Sequence, residues 1–277
     1  MNPLFNRTLK ALHRNKLVKE ENSQLYFQEL GIKSILEYFC SLPHSSYSNV
    51  CFIGPYAHSF AKELSSGSFP SIEKLTVVDF SKDSLELSVS NINSVEVEGF
   101  NCCEESWNYP SKTFDLVISN LNMHWLNSLH STVAKWKDSL KEQGVLIGCT
   151  MGEDTLQELR IALHLANVER KGEKLSSVNS MLSFSDVYSM LERLQFQKLT
   201  AEKDTHSLYF EDMFCLMSFL QSIGENNSSL NRKSDPSKEV FYAAASIYKE
   251  LFTERFGEFK GKVPATFDVT KFMCCKS

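Results

Sequence analysis

The run Ser119-Asn120-Leu121-Asn122-Met123-His124-Trp125 directly follows the apolar stretch Phe114-Asp115-Leu116-Val117-Ile118, so a hydroxyl, two amides, an imidazole and an indole gather at a strand end. Strand ends are where a sheet protein displays reacting or positioning groups. His124 has the chemistry of a general base or of a group that positions a substrate, and Trp125 that of an aromatic wall. A lone His beside a Trp is more often structural, and both readings stand. Three other strand ends carry comparable signals. Asp79 closes Leu75-Thr76-Val77-Val78-Asp79, where a carboxylate can accept hydrogen bonds from both hydroxyls of a ribose or cap the following helix. Cys103-Glu104-Glu105 follows a third strand, and its acids either reach a nucleobase amine or form a solvated loop. Gly54-Pro55-Tyr56-Ala57-His58 follows the first strand with one glycine only. Tyr56 and His58 stand where side chains crowd a ligand, so the turn is a poor cradle for a nucleotide-type cofactor.

These groups need a scaffold of alternating strands and helices. Short β-branched or apolar runs predict strands at Asn49–Gly54, Lys74–Asp79, Ser94–Gly99, Phe114–Ser119 and Gly144–Thr150. Helical patterns separate them at Ala57–Ser65, Ser81–Asn91 and Ser128–Lys141. Such spacing implies right-handed crossovers and a parallel sheet, an α/β Rossmann-like fold. After Thr150 the pattern turns to helices at Thr155–Lys171, Ser185–Leu194, Phe210–Ile223 and Ser237–Phe256, with short extended pieces at Phe196–Ala201 and Pro264–Phe272. The Asn- and Ser-rich stretch Gly224–Lys238, containing Pro236, is expected to be a solvated loop and the one hinge. The expected organisation is an N-terminal helical segment at 1–45 and one domain at 46–277, whose part 151–277 is mostly helical.

Composition narrows the function classes. With 277 residues, 42% apolar and 23% charged, the chain has the material for a packed core. A net charge of −5 argues against a protein that coats nucleic acid, and no apolar run is long enough to span a bilayer. The eight cysteines lack zinc-ligand spacing and read as buried reduced thiols in a reducing compartment, with no secretory signal at the start. Nothing resembles a Ser-His-Asp triad, a Walker loop or a His-Glu-x-x-His metal helix, and no metal site is expected. Arg7, Lys10, Arg14, Lys16 and Lys19 precede the first acid, Glu20, which suits either a matrix-targeting helix or a folded basic helix.

Several segments together resemble a known family. KTFDLVISNLNMHWLNSL (112–129), GVLIG (144–148) and MGEDTLQELRIALHLANVER (151–170) are similar to the arginine-hydroxylase family of mitochondrial complex I assembly factors. FNRTLK (5–10), LTVVDFS (75–81), FEDMFCLMSFLQSIGENN (210–227), AAASIYKELF (243–252) and VPATFDV (263–269) agree in order. The resemblance implies a class I S-adenosylmethionine-dependent methyltransferase fold with helical additions after the fifth strand, working on the matrix side of the mitochondrial inner membrane. It implies a protein substrate, an arginine of a complex I peripheral-arm subunit, with peripheral membrane association and no nucleic acid. By position, Gly54, Asp79, Glu104 and Glu105 match the cofactor-binding residues, and Ser119, His124 and Trp125 the catalytic run. Arg160, Glu169 and Arg170 match helix positions of the family.

The chain departs from the family pattern at the cofactor loop, where Phe52, Tyr56 and His58 replace an acid and two glycines, and at Cys103, which replaces an aspartate. Losing two charge-assisted hydrogen bonds, at roughly 1.5–3 kcal/mol each, would weaken cofactor binding at least about a hundredfold. Two functions are therefore open to this sequence. One is an enzyme in which Asp79 holds ribose, Glu104 and Glu105 lie near adenine, and His124 and Trp125 shape an arginine site. The other is a catalytically inactive assembly scaffold that has kept its partner-binding helices. Under the first, Asp79→Ala is expected to abolish cofactor binding while costing the fold about 1–2 kcal/mol, as for a cap or surface acid.

Overall fold

A computed structural model describes residues 3–15, 24–65, 69–92, 95–172, 178, 181–230 and 237–277. In chain order the elements are α1 (Arg7–Arg14), α2 (Gln24–Cys40), β1 (Ser46–Ile53), α3 (Ala57–Leu64), β2 (Ser71–Asp79), α4 (Lys82–Ser90), β3 (Glu96–Asn101) and β4 (Phe114–Asn120). A 3₁₀ turn at Met123–Trp125 leads to α5 (Leu129–Ser139), β5 (Leu140–Met151), α6 (Gln157–Lys171), α7 (Phe184–Arg193), β6 (Gln197–Phe210), α8 (Met213–Ser222), α9 (Lys238–Phe252) and β7 (Val263–Cys275). The strands form one sheet in the order β3-β2-β1-β4-β5-β7-β6, parallel through β5, with β7 antiparallel to both β5 and β6.

The central strands are apolar on both faces because helices cover both. Val50, Phe52, Leu75, Val77, Leu116, Ile118 and Ile147 face one core with Ile35 and Phe39 of α2, Phe60 of α3 and Ala162 of α6. Their alternates Cys51, Ile53, Val78, Val117 and Leu146 face a second core with Val133 and Trp136 of α5 and Leu191 of α7. β1 lies between β2 and β4, so the chain leaves it in opposite directions, and a crevice opens beyond the carboxyl ends of β1, β2 and β4. No described helix is long and apolar enough to cross a membrane.

Several expectations need correction. The piece predicted at Phe196–Ala201 is a 14-residue strand, β6, reaching Phe210, and the helix predicted from Phe210 begins at Met213. β6 is half-exposed along its length, so its residues alternate without a strong apolar signal. Of the supposed solvated hinge, residues 224–230 are drawn into the structure, with Ser228 fully buried and Phe5 bridging to Ser229. Pro236, Ser94, Lys16 and Lys19 lie outside the described residues. The thiols are free, but Cys40 and Cys215 are exposed, and only Cys51, Cys149 and Cys274 are buried.

Gly54 is fixed by backbone geometry. Its φ of +103° suits glycine, its N–H donates to the Val78 carbonyl at 3.0 Å, and a Cβ there would run into the Asn120 carbonyl oxygen. Gly54→Ala is expected to destabilise the protein by at least about 1–3 kcal/mol in urea unfolding.

Candidate functional site

The crevice at the strand ends is lined by acids and aromatic rings and is filled by the chain's own α1. This helix starts at Asn6, whose side chain accepts from the Leu9 N–H at 2.9 Å, and ends with His13 and Arg14 in its last turn, where cations suit the helix dipole. Arg7, Lys10 and Arg14 recur at i, i+3 and i+7, so they share one face. That face points inward. Lys10 and Arg14 are 0% and 1% exposed, whereas Leu12 is 58% exposed, the reverse of the usual amphipathic arrangement. The sequence expectation that this basic run forms a helix therefore holds for 7–14, but its cations point into the protein.

Each cation has an acidic and an aromatic partner. Arg14 lies 3.3 Å from Asp79 Oδ1, 3.4 Å from Asn122 Oδ1 and 4.1 Å from the centre of the Phe80 ring. Arg7 pairs with Glu104, donates to the Trp125 carbonyl at 2.9 Å and stacks on the same Phe80 at 4.3 Å. Lys10 Nζ donates to Glu225 Oε1 and to the Gly224 carbonyl, both at 2.7 Å, and lies 3.8 Å over the Trp125 ring. The segment before the helix is tied down too. Asn127 Oδ1 accepts from the Leu4 and Phe5 N–H groups at 2.7 Å, Asn6 N–H reaches Ser228 O at 2.8 Å, and Phe5 packs edge-on against Trp125.

Glu225, in the stretch expected to be solvated, joins this cluster to the predicted catalytic run. It accepts from Trp125 Nε1 at 2.9 Å and lies 3.4 Å from His124 Nε2. Burial alone would push its carboxyl up, but the Lys10 ammonium and the His124 ring hold it down at about 2. Burial lowers the Lys10 amine to about 7 despite Glu225, with Arg14 and Arg7 adding to the fall. His124 is lowered by burial more than Glu225 raises it, so it is neutral at neutral pH. Its Nδ1 faces Thr150 Oγ1 at 3.1 Å and the Met151 N–H at 3.4 Å. With Nδ1 accepting from that N–H, the proton is assigned to Nε2, toward Glu225.

The other expected site residues divide. Asp79 is buried and fully engaged, accepting from Arg14, from the Ser81 N–H at 2.9 Å and from Ser84 Oγ at 2.7 Å. Burial raises its carboxyl more than these partners lower it. Glu104 is 0% exposed, so the solvated-loop alternative fails for it, whereas Glu105 is half-buried, accepts from the Ser128 N–H at the start of α5 and lies 3.8 Å from Arg7. Ser119 is buried in β4 with its hydroxyl unpartnered among the described residues. Tyr56, at φ 71°, turns a buried, unpartnered hydroxyl into the field of Glu225, Arg14 and Asp79. His58 does not crowd this cleft; it lies 3.4 Å from Ser88 of α4. Arg160 donates to the Thr155 carbonyl, and Arg170 pairs with its exposed neighbour Glu169.

The fit to S-adenosylmethionine can be tested on these contacts. The carboxylates assigned to its ribose and adenine, Asp79 and Glu104, are neutralised by Arg14 and Arg7, and the Tyr56 ring is buried at the glycine loop. With α1 seated, the residues present do not fit that cofactor.

Comparison with known proteins places this geometry among relatives. Residues 53–148 match the methyltransferase domain family. The chain is 34% identical over 188 residues to the mitochondrial arginine-hydroxylase NDUFAF5 of Rattus norvegicus, covering 68% of this chain and 52% of that protein. The human protein of that name matches at 34% with 69% of this chain covered. The chain thus spans about half the length of these curated relatives. It is 30% identical to the malonyl-[acyl-carrier protein] O-methyltransferase of Acetivibrio thermocellus, covering 70% of this chain and 68% of that one. Among solved structures, YcgJ of Bacillus subtilis superimposes with a TM-score of 0.57 at 15% identity, covering 88% of this chain and 98% of its own. A Haemonchus contortus phosphoethanolamine N-methyltransferase solved with S-adenosylhomocysteine does so at 0.53 and 14%, covering 95% of this chain and 60% of its own. Both likenesses are of fold.

Proposed function

The chain belongs to the methyltransferase-domain family, and on that premise we propose that it is a mitochondrial complex I assembly factor that hydroxylates an arginine of a peripheral-arm subunit, on the matrix side of the inner membrane. The observation that carries this reading is the cleft itself, where buried acids and aromatic faces hold three cations, two of them guanidinium groups. A guanidinium stays protonated at any working pH, so a site acting on arginine needs carboxylates and ring faces to bind it. In this reading Trp125, His124 and Ser119 shape the arginine site, and Gly54, Asp79, Glu104 and Glu105 belong to the cofactor side once α1 is displaced. The division at residue 45 is kept in this reading with α1 as the part of the N-terminal helical segment that closes the cleft and α2 as the part packed against the sheet of the domain at 46–277.

The test is mass spectrometry of complex I peripheral-arm subunits from cells with and without this chain. The expected result is a one-oxygen increment on one arginine that disappears with the chain; an unchanged arginine profile would overturn the hydroxylase reading.

A second reading, a catalytically inactive scaffold with a degraded cofactor loop, is favoured by one observation: Tyr56 is buried after β1 while Arg7 and Arg14 of α1 pair with Glu104 and Asp79. Calorimetric titration with S-adenosylmethionine separates the two. Micromolar binding supports the enzyme, with α1 displaced, and no heat at millimolar ligand supports the scaffold.

A further inference from the structure

Lys10 is the middle cation of α1, and its seat suits a different cation better. The ammonium is wholly enclosed by the Glu225 carboxylate, the Gly224 carbonyl and the Trp125 ring face. One carboxylate both holds the cation and, through the Trp125 N–H at 2.9 Å, orients the indole over it. An edge of oxygen acceptors beneath an aromatic face matches a planar guanidinium, which donates in its plane and stacks through weakly hydrated faces. A lysine ammonium is compact and strongly hydrated, and enclosing it is opposed by burial, which lowers its pKa. The neighbouring seats make the same point, since Arg7 and Arg14 each combine an acid with the Phe80 ring. Polar capacity is also left over. The Tyr56 hydroxyl and Asn122 Nδ2 are buried without a partner among the described residues.

We propose that the Trp125–Glu225–Gly224 pocket is a receptor for an arginine side chain of a partner protein, and that α1, through Lys10, is a placeholder occupying it until that segment arrives. This rests on the arginine-directed reading above and adds where the arginine binds and what keeps the pocket closed. The placeholder is exchangeable because an eight-residue helix has little stability of its own and stays in place through its docked contacts.

The test uses the full chain carrying Lys10→Ala and labelled peptides of residues 3–15, with Lys10 kept, with Lys10→Arg or with Lys10→Met. Anisotropy titration is expected to show the Arg peptide binding at least about tenfold tighter than the Met peptide and no more weakly than the Lys peptide, a guanidinium preference set by the pocket. Adding Glu225→Gln to the Lys10→Ala chain is expected to erase the preference, and the wild-type chain to bind none at concentrations that saturate the variant. If Lys10→Ala fails to fold by circular dichroism, the Lys10→Met chain serves for the same titrations. A Lys peptide favoured tenfold over the Arg peptide marks a structural lysine socket and overturns the proposal, as does equal binding of Arg and Met peptides. A pocket that selects arginine while cells show no oxygenated arginine sinks the hydroxylase reading alone.

Discussion

Replacing Glu225 by alanine is expected to cost the fold about 1–3 kcal/mol at pH 6, measured by urea unfolding, because it removes the counter-charge of the enclosed Lys10 and the acceptor of Trp125 Nε1, while an amine that titrates near 7 limits the loss by shedding its proton. Combining it with Lys10→Met removes the stranded charge, so the double variant is expected to recover most of that loss, and the cycle reads their coupling. The pH dependence has a definite sign. Lys10 titrates near 7 in the folded protein and near 10.5 when unfolded. Between those values the unfolded chain binds more protons, so the contribution of Lys10 to stability rises with pH across that window and is flat below 7. The slope between pH 7 and 8.5 is expected to fall in Lys10→Met. The cost of Glu225→Ala is expected to shrink over the same range, as neutral Lys10 no longer needs a carboxylate.

Asp79→Ala is expected to cost about 3–5 kcal/mol, well above the 1–2 kcal/mol appropriate to a capping or surface acid. The reason is Arg14, 1% exposed, whose carboxylate partner is Asp79. Adding Arg14→Met is expected to restore much of the loss in the same urea assay. If the single variant loses only about 1–2 kcal/mol, Arg14 is not seated on Asp79 in solution.

The sheet was legible in sequence wherever burial is two-sided. Val50–Ile53 and Leu116–Ile118 are unbroken apolar runs, and Leu75–Val78 is broken only by the β-branched Thr76, because both faces of those strands are covered. β6 gives little sequence signal because an edge strand is exposed along much of its length, and Thr200, Glu202, Lys203 and Thr205 leave no apolar alternation. The site was half legible. A polar cluster after a strand picked out Ser119, His124 and Trp125, and an acid at a strand end picked out Asp79.

Glu225 carried no signal, since it sits among Asn and Ser residues and its cation is Lys10, more than two hundred residues earlier in the chain. The burial of α1 was hidden for a related reason. Three cations spaced for one helix face suit a targeting helix or a folded basic helix, and only the tertiary arrangement shows acids waiting on the other side. In the sequence Tyr56 reads as an obstacle to a ligand, and in the structure its hydroxyl lies in the field of Arg14 and Glu225.

Amide hydrogen exchange of Lys10–Arg14 in the full chain without added ligand is the most direct measurement of whether α1 is seated in the cleft. A helix this short frays freely in water, so any slowing of its exchange comes from docking. The expected result is exchange at least ~100-fold slower than in the free peptide, equivalent to about 2.7 kcal/mol of protection, and accelerated by Glu225→Gln. Exchange at the free-peptide rate would show the cleft open and the three ion pairs absent.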